Sequence, residues 1–226
     1  MSVRYAFLCD FDGTIAPHDI GAGFIRTFSP GMDAERQVLF AAWRDGRIGS
    51  RELSEAECRM VRVSEPEAMA FADRFTIDPQ FARFAREAEA RGDRVRVVSD
   101  GYDFYIRRLL GAAGLGSLPY CANRVRFEAG GVTPEFPHAG RGCGRCGNCK
   151  GAEVAQAHEE GFRVVIVGDG YSDRCAARVA DHVLARGALA EWCVAEGIAF
   201  EPFADFADVA RFAVALPGRA IGSVSS

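Results

Sequence analysis

The sequence lacks the long apolar run that a membrane-spanning helix requires, because no continuous hydrophobic stretch approaches about 18 residues. It also lacks an excess of positive charge. The 27 Lys and Arg residues stand against 31 Asp and Glu residues, and the formal net charge is −4. This balance argues against a broad surface for nucleic acid. We therefore expect neither a membrane nor a nucleic acid as a partner.

A signal-peptide pattern is missing as well, because Arg4 leads directly into an apolar stretch that reads as a strand of the fold. We therefore expect a cytoplasmic protein. In a reducing compartment, the eight cysteines are expected to be thiols or metal ligands rather than disulfides. The 226 residues are enough for one large domain or for a core with a smaller insertion. The oligomeric state is not predicted.

The first apolar run, residues 5–9, is continuous and contains aromatic side chains, as short buried strands do. It is followed at once by the sequence DFDGT, which contains Asp10 and Asp12. Ligands of open α/β sheets bind at the carboxyl ends of the strands. Side chains two positions apart share one face while the backbone is extended. We therefore expect both carboxylates to lie together at this edge of the sheet.

Two further strand-like segments, residues 95–98 and 164–167, are followed by polar or small residues in the same way. These residues are Ser99, Asp100 and Gly101 after the first of the two segments, and Asp169 and Asp173 after the second. Lys150 opens a helical segment between them. Strand and helix alternate along the chain, which predicts an α/β fold with a doubly wound parallel sheet.

About eighty residues separate the first two of these strands, although one crossover helix needs far fewer. Apolar residues recur at helical spacing in four segments, 21–28, 34–44, 51–63 and 66–75. We therefore predict a helical cap formed by residues 17–76, inserted into a catalytic core formed by residues 1–16 and 77–226. The alternative is a set of extra helices on the flank of the sheet.

The remainder of the chain carries weaker patterns. We expect a β-hairpin over residues 120–136 and short strands at 182–185 and 200–202. The predicted helices are 79–91, 103–110, 150–160, 172–180 and 205–216, and residues 218–226 are expected to form a frayed tail.

The order of these motifs, Asp-x-Asp, then Ser, then Lys, then Gly-Asp-x-x-x-Asp, resembles that of the haloacid dehalogenase superfamily of phosphohydrolases. The resemblance implies a Rossmann-like core and an enzyme that hydrolyses phosphoric monoesters through an aspartyl-phosphate. It implies that Asp10 is the nucleophile and Asp12 the general acid and base. Ser99, with Asp100 and Gly101, would bind the phosphoryl group, and Lys150 would offset the charge of the transition state.

Carboxylates beside a phosphate require a counter-charge, and oxygen ligands favour Mg²⁺. We expect the ligands to be the carboxylate of Asp10, the backbone carbonyl of Asp12 and the carboxylate of Asp169. Asp173 lies one helical turn further on and is interpreted as a second ligand or as a carboxylate behind the first ligands. By resemblance it would also hold Lys150.

Asp19 follows Asp10 by nine residues. In the phosphoserine phosphatase group, which the chain also resembles, an acidic residue at this offset faces the amino group of the substrate. This implies that Asp19 binds substrate. The alternative from the residues alone is an N-cap for a helix that begins at Ile20.

A glycine-rich segment before Lys150 contains Cys143, Cys146 and Cys149. This spacing could bind structural Zn²⁺ with Cys121 or His138 as the fourth ligand, although a second ligand pair is missing. Free thiols in a tight loop and a redox-sensitive disulfide are the alternatives.

The cysteine-rich loop ending in Cys-Lys resembles that of the methionine-salvage phosphatases, which act on 2-hydroxy-3-keto-5-methylthiopentenyl-1-phosphate. Those enzymes would have four cysteines where this chain has three. We expect this small phosphorylated metabolite as the substrate. Phosphoserine phosphatase is the second hypothesis, with Arg47, Arg51, Arg59 and Arg62 as candidates to bind the substrate carboxylate. A phosphomutase and a non-catalytic, regulatory phosphate-binding protein are further alternatives.

Overall fold

Seven strands form one sheet at the centre of the protein, in a computed structural model that describes residues 3–217. The strands are β1 (Tyr5–Cys9), β2 (Arg94–Tyr102), β3 (Tyr120–Glu128), β4 (Gly131–Glu135), β5 (Arg163–Gly168), β6 (His182–Ala185) and β7 (Glu201–Pro202). Their order across the sheet is β4-β3-β2-β1-β5-β6-β7. All neighbours are parallel except the β3–β4 hairpin. The predicted α/β class and doubly wound sheet are confirmed.

The central strand β1 is the point at which the order of the sheet reverses. It pairs in parallel with β2 on one side and with β5 on the other. A crevice forms outside the carboxyl end of a sheet at such a switch point, and ligands bind there. The acidic residues that follow β1 therefore lie at the place where the topology favours a site.

Strand β1 is buried on both faces, which accounts for its uninterrupted apolar sequence. Phe7 belongs to one hydrophobic cluster, whereas Ala6 and Leu8 belong to a second. Because successive side chains of a strand point to opposite faces, the two clusters are the packed layers on the two sides of the sheet.

The helices are α1 (Ile20–Phe28), α2 (Asp33–Arg44), α3 (Ser50–Met60), α4 (Glu65–Ala72), α5 (Pro79–Ala90), α6 (Asp103–Ala112), α7 (Lys150–Glu159), α8 (Arg174–Ala177), α9 (Gly187–Glu196) and α10 (Phe206–Ala215). Four of them, α1 to α4, fill the long interval after β1. Phe24 of α1 and Phe71 of α4 are buried in the same hydrophobic cluster as Phe7. Ser64 and Glu67 form a capping box that begins α4.

Two elements differ from the sequence predictions. The expected helix over residues 172–180 is a 3₁₀ turn at Tyr171–Asp173 followed by the short α8. The cause is local, because the carboxylate of Asp173 accepts hydrogen bonds from the backbone N–H groups of Asp169 and Gly170 and tightens the turn. Helix α9 had not been predicted. The tail expected at residues 218–226 lies outside the described residues.

Within residues 3–217, no helix combines the length and the apolar character needed to cross a bilayer.

Candidate active site

The chain turns sharply after β1, and this turn presents Asp10 and Asp12. The backbone N–H of Ile15 donates to the carbonyl of Asp10, and Gly13 has a φ of 75°. Strand β1 ends at Cys9, so the condition of an extended backbone, on which a shared face of the two carboxylates depends, is not met. Both carboxyl groups still line one cavity, but they meet different partners.

A buried ion pair joins three of the motif residues. The Nζ of Lys150 lies 2.7 Å from Oδ1 of Asp10 and 2.6 Å from Oδ1 of Asp173. It also donates to the hydroxyl of Ser172 at 3.0 Å. Burial lowers the pKa of Lys150, but Asp10 and Asp173 outweigh burial, and the net pKa is raised. Lys150 is therefore held as a cation between the first and the last motif.

Asp169 completes a group of carboxylates with Asp10 and Asp173, whose oxygens lie within 4.8 Å of one another. Thr14 donates to Oδ1 of Asp169 at 2.7 Å. Burial raises the pKa of Asp10 and of Asp169, and repulsion from Asp173 adds to both shifts. The cluster thus holds three carboxyl groups against one lysine, and its electrostatics favour a further positive charge.

Asp12 lies at the amino end of α1, away from the lysine. Its Oδ1 accepts the backbone N–H groups of Ile20 at 2.8 Å and Gly21 at 3.2 Å, and its Oδ2 accepts the Tyr105 hydroxyl at 2.5 Å. Burial raises the pKa of Asp12 to about 7. A Cβ at Gly101 would overlap the Tyr105 hydroxyl and the Asp12 carboxylate. Glycine is therefore required for this close approach.

Ser99 and Asp100 end the apolar part of β2, but only one of them has its side chain free for a ligand. The hydroxyl oxygen of Ser99 accepts the N–H of Gly101 at 2.9 Å, so the hydroxyl proton is available to donate. The carboxylate of Asp100 accepts the backbone N–H of Asn148 at 3.0 Å, and burial raises its pKa. Asp100 therefore holds the cysteine-rich loop against β2.

One cavity of about 340 Å³ is lined by predicted site residues that include Asp10, Asp12, Ser99, Asp100 and Asp169. Acidic and hydroxyl side chains from the strand ends form one part of its lining, and aromatic and apolar side chains of α1, α2 and α3 form another. Among the described residues that line it, none is Arg or Lys. The lining residues that were not predicted as site residues include Ile25, Phe40, Trp43, Leu53, Glu57, Tyr102 and Tyr171.

The family model for haloacid dehalogenase-like hydrolases matches residues 7–178. The chain belongs to this family. The curated 2-hydroxy-3-keto-5-methylthiopentenyl-1-phosphate phosphatase of Exiguobacterium sibiricum is 30% identical over 217 residues, covering 92% of this chain and 95% of that protein. The protein of the same name from Brevibacillus brevis is 27% identical, covering 93% and 96%.

A solved structure of a phospho-aspartyl intermediate analogue of phosphoserine phosphatase shows the same fold. Its TM-score is 0.71 at 20% identity, with 93% of this chain and 99% of that chain covered. The predicted family and the predicted enzyme class, a phosphoric monoester hydrolase, are confirmed by these matches.

Sequence reasoning missed two residues of this haloacid dehalogenase-like site. One is Tyr105, whose hydroxyl binds Asp12. The other is Arg186, whose guanidinium donates to the backbone carbonyls of Gly13 and Thr14 and so holds the turn after β1. Neither residue belongs to a motif, and no spacing in the sequence points to either one.

Asp19 is the N-cap of α1, and its predicted contact with substrate stays a prediction. Its carboxylate accepts the N–H of Ala22 at 2.8 Å as the N-cap of α1, and it also lines the cavity. Burial raises its pKa. Glu57 of α3 lies close enough that Asp19, together with burial, raises the pKa of Glu57 to about 7. This part of the cavity is therefore acidic.

The cysteine-rich loop brings three of its thiols together. The Sγ atoms of Cys143, Cys146 and Cys149 lie within 4.8 Å of one another. The two residues considered as a fourth ligand, Cys121 and His138, are not in that group of the described residues. The Sγ of Cys121 instead accepts a hydrogen bond from Arg96 at 2.7 Å.

Proposed function

We propose that the protein is a Mg²⁺-dependent phosphomonoesterase that acts through an aspartyl-phosphate at Asp10 on 2-hydroxy-3-keto-5-methylthiopentenyl-1-phosphate. The observation that carries the proposal is the contrast between two carboxyl groups in one cavity. Burial raises the pKa of both groups. Lys150 lies 2.7 Å from Asp10 and opposes the rise there, whereas Asp12 has no such cation beside it among the described residues, and its pKa is raised to about 7. One group is thus suited to attack and the other to carry a proton at neutral pH.

In the first step, a carboxylate oxygen of Asp10 forms a bond to phosphorus, and the bond from phosphorus to the substrate oxygen breaks. Lys150 and the N–H of Phe11 both bind Oδ1 of Asp10, which leaves Oδ2 as the attacking oxygen. Asp12 gives its proton to the departing oxygen. In the second step, Asp12 takes a proton from water, the water oxygen attacks phosphorus, and Asp10 is released with inorganic phosphate.

Two further residues act on the phosphoryl group in this proposal. Ser99 donates its free hydroxyl proton to a phosphoryl oxygen. Lys150 offsets the negative charge that develops when phosphorus binds five oxygens. Asp173 holds Lys150 in place through their contact at 2.6 Å.

The residues present fit a bound Mg²⁺, because oxygen donors are what this cation prefers and the carboxylates outnumber the lysine. The carboxylates of Asp10 and Asp169 and the backbone carbonyl of Asp12 would hold it. Bound there, the cation would screen the carboxylates from the phosphate and polarise a phosphoryl oxygen. Asp173 already pairs with Lys150. In this proposal it is therefore a carboxylate behind the metal ligands and not a ligand itself.

The cavity lining favours the methylthio substrate over phosphoserine. A carboxylate on the substrate calls for a cation, but Asp19 and Glu57 make the cavity acidic, and its described lining has no Arg or Lys. Arg36 lies near Glu57 but pairs with Asp33. None of the four arginines that were considered lines the cavity, namely Arg47, Arg51, Arg59 and Arg62. The aromatic side chains suit a neutral thioether chain.

The cap is part of this proposal. We assign residues 17–76 to a cap and residues 1–16 and 77–226 to the core, because α2 and α3 supply Phe40, Trp43, Leu53 and Glu57 to the cavity. Substrate choice then depends on the cap and phosphoryl transfer on the core. Asp19 lies at the start of the cap, where it can contact the part of the substrate beyond the phosphate.

The test is phosphate release with and without Mg²⁺ from a panel that contains the methylthio-enol phosphate, phosphoserine, and other sugar and amino-acid phosphates. We expect Mg²⁺-dependent release concentrated on the methylthio compound. Preference for phosphoserine would contradict the substrate assignment while leaving the reaction class intact. Phosphate binding without any turnover would favour the regulatory binding protein, and an isomeric phosphate product would favour a phosphomutase.

A further inference from the structure

A fourth thiol lies beside the three of the cysteine-rich loop, and it comes from another part of the chain. Cys175 is on α8, two residues after Asp173. The thiol of Cys149 interacts with those of both Cys146 and Cys175. The Sγ atoms of Cys143 and Cys146 are 3.4 Å apart. Four thiols from two separate segments therefore form one continuous cluster.

The spacing of the three loop sulfur atoms is close to that of a tetrahedral zinc site, whereas Cys175 is not within 4.8 Å of all three. Four sulfurs at about 2.3 Å from Zn²⁺ lie about 3.8 Å from one another. The 3.4 Å separation of Cys143 and Cys146 and the 4.8 Å limit for the three loop sulfurs bracket that value. The Cys175 side chain, which interacts with Cys149, would have to move towards the other two loop sulfurs to complete the tetrahedral arrangement.

The backbone around the cluster supplies hydrogen-bond donors to two of the sulfur atoms. The N–H groups of Cys143 and Ala152 donate to the sulfur of Cys149, and the N–H of Gly151 donates to the sulfur of Cys175. Hydrogen bonds of this kind orient metal ligands and stabilise their charge. Gly142, at a φ of 78°, has no room for a Cβ, which would lie 2.6 Å from the Cys149 sulfur.

The four cysteines lie at a part of the surface that a metal ion can reach from solvent. Cys143 is exposed, Cys146 and Cys175 are partly buried, and Cys149 is buried. The cluster is thus at the surface, apart from the acidic cavity, since none of the four lines it. A closed four-thiolate set leaves no open position for substrate.

We infer that Cys143, Cys146, Cys149 and Cys175 bind one structural Zn²⁺. Each thiol loses its proton to solvent as the metal binds, and no electron transfer is involved. The ion ties the segment that ends at Lys150 to the segment that carries Asp173. It thereby restrains Lys150 and Asp173, which form an ion pair with each other, from outside the cavity.

The test is the zinc content of the full-length protein, purified under reducing conditions without chelator and measured by mass spectrometry of the metal. We expect about one zinc per chain in the wild type and a loss of most of it in Cys175→Ser. Cys121→Ser is the matched control, because Cys121 was an alternative fourth ligand and is bound by Arg96. It is expected to keep its zinc. Circular dichroism of each variant establishes that it has folded.

A second measurement needs no variant. The wild-type protein is alkylated with and without added zinc, and each cysteine is then identified by peptide mass. Zinc should protect the four cysteines of the cluster. Protection of the three loop cysteines without Cys175, zinc loss in Cys121→Ser alone, a Cys–Cys disulfide under the reducing conditions, or no bound zinc after reconstitution would each overturn the inference.

Discussion

Asp10 is the residue on which the proposed reaction depends, and its surroundings allow a nearly isosteric test. Asp10→Asn removes the attacking carboxylate and also one negative charge from a group of three carboxyls. We expect phosphate release to fall to background, while the midpoint of thermal unfolding changes by only a few degrees because repulsion with Asp173 is relieved as the contact with Lys150 weakens. Steady-state phosphate release and thermal unfolding are the two measurements.

Asp73→Asn is the control for this change, because Asp73 is exposed after α4, pairs with Arg108 and does not line the cavity. It should retain full activity. Substantial Mg²⁺-dependent release by Asp10→Asn would rule out Asp10 as the nucleophile, even if the enzyme class stood.

Tyr105 is expected to act through Asp12 rather than on the substrate. Its hydroxyl hydrogen bond lowers the pKa of Asp12 against the effect of burial. Tyr105→Phe should therefore raise the pKa of Asp12 and keep this acid protonated to higher pH. The alkaline limb of the kcat profile should move to higher pH, and kcat should fall about tenfold for the loss of one hydrogen bond to a charged group.

The matched control is Tyr120→Phe on β3, which lies outside the cavity lining. A Tyr105→Phe enzyme with an unshifted pH profile would show that the tyrosine only packs against its neighbours. Such a result would mean that Tyr105 does not influence proton transfer by Asp12.

The residues of the site differ in how far the sequence could predict them. Lys150 stands out because it is the only lysine among 27 basic residues. Asp10, Asp169 and Asp173 follow from strand ends, which parallel topology brings together. Tyr105 could not be predicted, because its contact depends on how α6 packs beside a glycine at the end of β2.

Among the elements, helix α2 has the clearest expected link to substrate binding. Its Phe40 and Trp43 pack against Tyr171 of the core, with ring centroids 6.3 Å and 5.7 Å from the tyrosine ring. This aromatic group joins the proposed cap to the 3₁₀ turn beside Asp169. It forms the side of the cavity that would bury an apolar substrate chain.

Trp43→Ala should therefore raise KM for the preferred substrate about tenfold, which corresponds to about 1.4 kcal/mol of lost binding, with a smaller effect on kcat. The protein offers a matched control in its other tryptophan, Trp192, which stacks on Arg174 and Arg178 outside the cavity lining. Trp192→Ala should leave KM unchanged. Equal KM values for both variants and the wild type would contradict the role of α2 in binding.

A helix could be predicted from the sequence where its apolar residues lie on one face. It could not be predicted where its apolar residues are spread evenly around the helix axis. Helix α5 buries Phe81, Phe84 and Ala88 along one face, so its period was visible in the sequence. Helix α9 buries only Leu189 and Cys193, and its apolar residues are spread around the axis. Periodicity therefore gave no signal for α9. The 3₁₀ turn escaped prediction for another reason, since it depends on the carboxylate of Asp173 turning back on its own backbone.

At the scale of the whole molecule, the fold holds like charges together at the switch point of the sheet. Residues far apart in the sequence meet there, Asp10 from the end of the first strand and Asp173 from beyond the fifth. Keeping three carboxyl groups close in a buried place opposes folding unless a cation or protons offset them. Bound Mg²⁺ should therefore stabilise the folded protein itself, apart from its part in the reaction.

This stabilisation is measurable without substrate. A ligand that binds only the folded state at tenfold its Kd adds about 1.4 kcal/mol. For a chain of this length each kcal/mol moves the unfolding midpoint by roughly 2–4 °C. We expect Mg²⁺ to raise Tm by a few degrees and EDTA to reverse the rise. Asp169→Asn should abolish most of this increase in Tm. A rise that persists unchanged in Asp169→Asn would mean that Mg²⁺ binds elsewhere, because the variant keeps the fold's other acidic groups but loses a proposed ligand.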